Sequence, residues 1–290
     1  MENYKEYEKF CIKIAKIVGD YVLNNFDGNF QIFSKDTKNN LVTEIDHNSQ
    51  KIIIENIAKT YPDHIIVGEE DNIKVIKNTS EFIWVIDPID GTTNFVNGLP
   101  NFAISIALLK NYEPIAGVIW IPWPNNDKSL IFSSSKNNGS SIGNLKLDIT
   151  KNSLSNLEDG SVSSYSSFST LFGNEDRNIK PWKKIIKGEK RVIGTVAYEM
   201  ALVAKGVIKF GLFGPASIWD FGAGLLIIKE AGGVIYYLDE NYNIQDKFHS
   251  FKSLIEKNEL LDEKMIYKWT GQFLIGNPDI MNLKDSKKFV

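Results

Sequence analysis

The 290-residue chain has one cysteine, Cys11, which excludes an intrachain disulfide and any cysteine-rich metal site. Set among Phe10, Ile12 and Ile14, its thiol reads as buried and structural. Histidine is nearly as scarce. His47, His64 and His249 show no metal-ligand spacing, which disfavours zinc, and His64 reads as a partly buried imidazole in a strand. Arginine occurs only at 177 and 191; with the many Asn and Ile residues this matches the codon bias of an AT-rich genome and carries no functional reading. There is no charge excess either: a net charge of −3 gives no footprint for nucleic acid. No apolar run is long enough to cross a bilayer, the longest being Phe102–Leu109 with Ser105 inside it. The start, Met-Glu-Asn-Tyr-Lys-Glu-Tyr-Glu, lacks the basic and apolar regions of an export signal, so a cytoplasmic protein is expected and the glycosylation-like Asn78-Thr79-Ser80 and Asn138-Gly139-Ser140 are read as chance. Internal repeats and coiled-coil heptads are also missing.

What is present is an ordinary globular composition with ample material for a core. Residues 4–24 place Tyr7, Phe10, Cys11, Ile14, Ile17, Val18 and Tyr21 at helical spacing. Phe30–Val42 reads as a hairpin or flexible loop, and a second helix is predicted from Asp46 to Lys59, ended by Pro62. Strand-like runs follow at His64–Val67, Phe82–Ile86, Phe102–Leu109, Ile115–Ile121 and Leu130–Ser133, closely spaced as in an antiparallel meander. The Ser-, Asn- and Gly-rich segment 134–176 is expected to hold the boundary between two halves, 1–150 and 151–290, with its Ser-rich part, 161–170, read either as a substrate contact or as a connection. Beyond it strands at Arg191–Gly194, Ile208–Phe213, Val234–Leu238 and Gln272–Gly276 alternate with helices at Thr195–Lys205 and Trp219–Ala231, and a further helix is expected at the C-terminus. The fold class is α/β, layered helices and sheets in two halves. Trp120-Ile121-Pro122-Trp123-Pro124 reads as a strand end with core aromatics.

The chemistry gathers where apolar runs end in carboxylates. Phe82–Ile86 runs into Asp87-Pro88-Ile89-Asp90-Gly91-Thr92-Thr93: Pro88 biases Asp87 towards extended geometry, a rigid turn presents Asp90, and Gly91 with Thr92-Thr93 suits a helix start that favours an anion such as phosphate. Gly68-Glu69-Glu70-Asp71 follows another strand, Trp219-Asp220 opens a helix, and Asp46 opens the second helix. Singly, each has an ordinary reading as a turn, a solvated loop or a helix cap. Jointly, all lie at strand ends or helix starts, where sites of layered α/β folds are built. Two carboxylates about 4 Å apart repel by roughly 4 kcal/mol at an effective dielectric near 20, so a converged set requires cations or protons. Oxygen ligands without Cys or His select hard divalent ions, Mg²⁺ first and Mn²⁺ next, and metal ions beside a phosphate-accepting turn fit phosphate-ester hydrolysis.

Gly68-Glu69-Glu70, Asp87-Pro88-Ile89-Asp90-Gly91-Thr92-Thr93-Asn94-Phe95 and Trp219-Asp220 resemble, in order and spacing, the three signatures of the inositol monophosphatase family. Lys35, Leu41-Val42-Thr43 with Asp46, Gly194-Thr195 and Glu230-Ala231-Gly232-Gly233 extend the resemblance from the first helix to about residue 238. It implies an αβαβα sandwich and a Mg²⁺-dependent, lithium-sensitive phosphomonoesterase, usually a homodimer, holding two or three metal ions per site. By that resemblance Glu69, Asp87 and the carbonyl of Ile89 hold one metal, Asp87, Asp90 and Asp220 a second, and Glu69 faces a weaker third. Thr92, backed by Asp46, orients the attacking water, and Glu70 and Lys35 support from outside. The amides of Gly91 and Thr92 hold phosphate, with Asp90, Thr93, Thr195 and Val196 at the substrate.

One region departs from the pattern. Where family members that act on inositol phosphates carry Gly-x-x-Asp followed four residues later by Glu, this chain has Lys209 after Gly206-Val207-Ile208, and Phe213 in place of the Glu. Phenylalanine accepts no hydrogen bond from a ring hydroxyl, so the chemistry is better marked than the substrate. A fructose-1,6-bisphosphatase, a 3′-phosphonucleotide phosphatase in which Phe213 faces a base or another sugar, and a transcription-associated binding protein are the alternatives.

Overall fold

The structure is a computed structural model that describes residues 3–34, 41–70, 80–151, 162–164, 189–240, 243–252, 254 and 263–278. The opening helix, α1 (Lys5–Phe26), buries Cys11, Ile14 and Val18 completely or nearly so, whereas Ile17 is 40% exposed, making the apolar stripe narrower than its spacing predicts. Strands β1 (Ile32–Ser34) and β2 (Leu41–Thr43) form an antiparallel hairpin. Helix α2 (Glu44–Thr60) begins two residues earlier than predicted because Thr43, not Asp46, is its N-cap: Thr43 Oγ1 accepts from the amides of Ile45 and Asp46, and Asp46 answers from the third helical position.

Seven strands follow as one sheet in chain order: β3 (Ile65–Gly68), β4 (Phe82–Asp90), β5 (Ala103–Lys110), β6 (Glu113–Pro122), β7 (Ser129–Ser135), β8 (Ser140–Ile142) and β9 (Leu145–Lys146), with the short helix α3 (Thr92–Val96) after β4. From β4 onward the sheet is the predicted antiparallel meander, but β3 runs parallel to β4, register Gly68 opposite Ile86. Strand β4 is buried on both faces: Trp84 and Ile86 pack towards α1 and α2, Ile83 and Val85 into a second core on the opposite face, which explains the unbroken apolar run.

The second sheet has the order β11-β10-β12-β15-β13-β14, from β10 (Val162–Ser164), β11 (Glu189–Arg191), β12 (Ile208–Ser217), β13 (Val234–Leu238), β14 (Ile244–Lys247) and β15 (Thr270–Gly276). The strand predicted at Arg191–Gly194 lies earlier, and 192–195 is an unpaired turn. Helix α4 (Val196–Ala204) is buried at every position, as befits a helix between two sheets. Helix α5 (Ile218–Glu230) ends in a Schellman turn, Gly233 N donating to Ile228 O and Gly232 N to Lys229 O, with Gly232 at φ +84°. Helix α6 (Glu263–Lys268) precedes β15, and Ile266 and Trp269 enter the core.

The layers are thus α1–α2, the seven-stranded sheet, α4–α5 and the six-stranded sheet, with one core between the first pair and another running through α4, α5 and both sheets. The fifth layer that an αβαβα sandwich implies and the helix expected at the C-terminus fall outside the described residues. Helix α5 lies very close to the first sheet at Gly222, where a Cβ would sit 2.7 Å from Val85 Cγ2. That close approach brings the start of α5 down to the end of β4. No described helix is long and apolar enough to cross a membrane.

Candidate active site

Asp87 and Asp90 are three residues apart, a spacing that sends side chains to opposite faces of a regular strand. A register shift removes the problem. Asp87 pairs with Ser105 and Asp90 with Ala103, so three steps on β4 oppose two on β5. Pro88, with no amide hydrogen to contribute, sits in this irregularity, and Ile89 N donates to Asp87 Oδ1 at 3.0 Å. Both carboxylates therefore reach the same side and meet Asp220: one ligand oxygen from each of the three lies within 4.8 Å of the others.

Asp220 is held from two directions. It is the third residue of α5, where its Oδ2 accepts from the amide of the N-cap Ser217 at 2.6 Å. The carbonyl of Trp219 accepts from Ser105 Oγ at 2.9 Å, and Ser105 is the residue paired with Asp87. A capping carboxylate was the ordinary reading of Asp220, and the structure gives it both roles' geometry at once, with Ser217 rather than Asp220 as the cap.

Glu69 arrives through the parallel pairing of β3 with β4, which puts the C-terminal ends of both strands at one edge; Glu69 N donates to Ile86 O at 3.1 Å. Its carboxylate stands outside the tight group of three, yet its charge raises the proton affinity of Asp46, Asp87, Asp90 and Asp220 alike. Glu70 follows with buried carboxylate oxygens and an amide bound to Gln50 Oε1 of α2 at 3.1 Å. Lys35 lies outside the described residues.

On the other flank Thr92 Oγ1 is 2.9 Å from Asp46 Oδ1 and 3.1 Å from Ile89 O. Asp46 Oδ2 accepts from Thr43 N at 2.9 Å and from Thr43 Oγ1. Gly91, at φ +93°, is the N-cap of α3, and a Cβ there would sit 3.1 Å from both Asn101 O and Thr195 Cβ. Helix α3 has only five residues, so its dipole adds little and any anion there depends on individual N–H groups. Thr195 caps α4 and, with Ala197 N, donates to Asp90 Oδ2. Thr93 is exposed on α3, whereas the Val196 side chain is in the core and leaves only its main chain for a substrate.

The electrostatics are those of an uncompensated cluster. Burial, then the charges of Glu69, Asp90 and Asp220, push Asp87 well above the usual carboxylate range. Asp220 is raised in the same way by burial, Asp90 and Glu69. Burial takes Asp90 up to about 7 against the lowering effect of its bonds from Thr195 and Ala197. Burial also raises Asp46, partly offset by Thr43 and Thr92. Among the described residues none of these four aspartates is ion-paired. An all-oxygen carboxylate set of this kind, with Asp87 and Asp90 buried and Asp220 half-buried, fits a hard divalent cation.

Sequence reading missed Ser105, Ser217 and Tyr267. Tyr267 donates its hydroxyl to Glu69 O at 3.2 Å and stacks obliquely on Trp219, 5.2 Å between ring centres. Nothing in a lone Ser or Tyr distant in sequence marks such a role. Phe213 is not the open aromatic face that a base would need: it is fully buried in β12, its ring lying over Gly211, and Lys209 Nζ donates to Gly206 O at 3.3 Å. His64 is buried rather than partly exposed, stacked on Tyr61 and Phe82 and accepting from Trp84 Nε1 at 3.1 Å, and burial lowers its pKa. Of the Ser-rich 161–170, only 162–164 is described, as β10, with Ser163 and Ser164 buried.

Comparison with known proteins agrees with this geometry. Residues 3–270 match the model of the inositol monophosphatase family. A fructose-1,6-bisphosphatase/inositol-1-monophosphatase of Aquifex aeolicus is 33% identical over 262 residues, covering 88% of this chain and 94% of that one. A Nus factor SuhB of Pasteurella multocida is 32% identical over 235 residues, covering 78% and 82%. The solved structure of a Thermotoga maritima IMPase superposes with a TM-score of 0.74 at 27% identity, covering 96% of this chain and 94% of that one.

Proposed function

The chain belongs to the inositol monophosphatase family, and on that premise we propose that it is a Mg²⁺-dependent phosphomonoesterase acting on a small sugar or polyol phosphate. The observation that carries the reading is the convergence of buried Asp87 and Asp90 with half-buried Asp220 into one group with no cationic side chain on it among the described residues. Glu69, Asp87, the carbonyl of Ile89, Asp90 and Asp220 would hold two or three Mg²⁺ ions, with Mn²⁺ able to substitute. Bound there, the ion supplies charge neutralisation and Lewis acidity towards water and the phosphate ester.

The protein's own groups set up the proton transfer. Thr92 gives its hydroxyl proton to the Asp46 hydrogen bond, so its lone pairs are left to accept a proton from an attacking water. Burial raises the proton affinity of Asp46, which suits it to take up the Thr92 proton as Thr92 takes one from water. The amides of Gly91 and Thr92 would steady the phosphate, and the Thr93–Thr195–Val196 side would receive the rest of the substrate. Glu70 and Lys35 support the charge balance from outside.

Phe213 and Lys209 present no carboxylate to a ring hydroxyl, and each missing hydrogen bond weakens binding by about 1–3 kcal/mol. Inositol monophosphate is therefore the family default rather than a substrate this pocket is built to select, and fructose 1,6-bisphosphate is favoured beside it by the double name of the Aquifex relative. Family membership is also the support for a cytoplasmic, lithium-sensitive homodimer. A role beside transcription machinery is a second reading, resting on the relatives named Nus factor SuhB.

Phosphate release from inositol 1-phosphate, fructose 1,6-bisphosphate and a 3′-phosphonucleotide tests the proposal. Thr92→Val is expected to lower kcat by about 10²–10⁴-fold with little change in KM, the usual size of a lost proton-transfer group. No release from any monoester with Mg²⁺ or Mn²⁺ would defeat the phosphatase reading and leave the binding role.

A further inference from the structure

The turn 192–195 joins β11 to α4 without belonging to any sheet, yet its Thr195 delivers one of the hydrogen bonds that hold Asp90, and Ala197, just inside α4, delivers another. Two side chains hold this turn from opposite sides. Asn94, at the third position of α3, spends both amide hydrogens on carbonyls, Asn101 O at 2.7 Å and Ile193 O at 2.8 Å. Glu199, fully buried in α4, accepts from Ile193 N at 3.0 Å and Gly194 N at 3.1 Å on the same oxygen, Oε1. Gly194 stands at φ +88°, the left-handed region that lets two successive amides converge on one oxygen.

Burying a carboxylate in a helix whose other residues are mainly apolar costs more than an aliphatic side chain there would. Packing alone does not account for Glu199, whereas the two hydrogen bonds it accepts from the turn do. We propose that Asn94 and Glu199 are positioning residues that clamp the 193–194 turn, and through it hold Thr195 Oγ1 and Ala197 N against Asp90 Oδ2, so that the Asp90 carboxylate is aimed for a divalent cation. The proposal rests on the metal-dependent reading above.

Calorimetric titration of the full chain with Mn²⁺ tests it, with Glu199→Leu, Glu199→Gln and Asn94→Ala beside the wild type and melting temperatures in EDTA as the fold control. Glu199→Leu is expected to weaken Mn²⁺ binding by about 10–100-fold, the range for lost partners behind a metal ligand, at a melting temperature close to wild type. Glu199→Gln keeps an acceptor oxygen for both amides and should bind almost as the wild type does, a rescue that a general packing role would not distinguish from Leu. Asn94→Ala, striking the other side of the turn, should weaken binding in the same direction. A folded Glu199→Leu protein that binds Mn²⁺ like the wild type overturns the clamp; if that variant does not fold, unchanged binding in Asn94→Ala overturns it. A wild type that binds no Mn²⁺ overturns the metal-dependent reading itself and the clamp with it.

Discussion

Asp87→Asn is expected to abolish phosphate release while making the metal-free protein more stable. Asn preserves the acceptor that Ile89 N uses and nearly the same volume, so the local turn survives. What it removes is a fully buried charge facing Glu69, Asp90 and Asp220. Without metal the folded chain must keep Asp87 protonated at a pH where the unfolded chain ionises it, which opposes folding, so its replacement raises the melting temperature in EDTA, by roughly 2–4 °C for each kcal/mol of that cost relieved. With metal, the loss of a central ligand forfeits several kcal/mol of transition-state stabilisation, on the order of 10³-fold in rate. The two effects of opposite sign identify Asp87 as a functional charge tolerated at a cost to stability. Loss of activity together with loss of metal-free stability would mean instead that Asp87 holds the strand end together.

The second large effect is the loss, in Mg²⁺, of a pH dependence of stability that the metal-free protein shows. Asp90 is raised to about 7 from an ordinary 3.8, and Asp87 and Asp220 are also raised. Between those limits the folded chain retains protons that the unfolded chain has released, so the unfolded state binds fewer protons and stability falls as pH rises. In EDTA the melting temperature should therefore decline from about pH 5 to about pH 8, most steeply between the unfolded-state and folded-state values and levelling off once the pH has passed the latter. Mg²⁺ takes the place of those protons, and its stabilisation grows as they leave. Melting curves across that range, with EDTA and with saturating Mg²⁺, should diverge as pH rises; parallel curves would contradict the raised carboxylates.

The elements were largely readable because their signals are local. Strand β4 announces itself by an apolar run buried on both faces, and α5 by the Gly-Gly that closes its Schellman turn. The acidic positions were readable for the same reason, each standing at the end of an apolar run. How they meet was not readable. The parallel pairing of β3 with β4 and the register shift at Pro88 are relations between strands, and they are what turn separate acidic motifs into one pocket. The residues that tie this pocket together follow the same rule: Ser105 meets the main chain of Trp219 across 114 positions and Tyr267 that of Glu69 across 198, distances over which one sequence shows no periodicity. Caps were misread by a single turn, because Asp46 and Asp220 occupy the third helical position behind Thr43 and Ser217.

Anomalous diffraction from crystals grown with Mn²⁺ and inorganic phosphate probes the shared carboxylate pocket most directly. Manganese is expected within about 2.2 Å of carboxylate oxygens from Asp87, Asp90 and Asp220, in the range of oxygen ligands to small divalent ions, with Thr92 facing the phosphate. Crystals that hold Mn²⁺ elsewhere, or not at all, with these three aspartates still together and protonated, would contradict it.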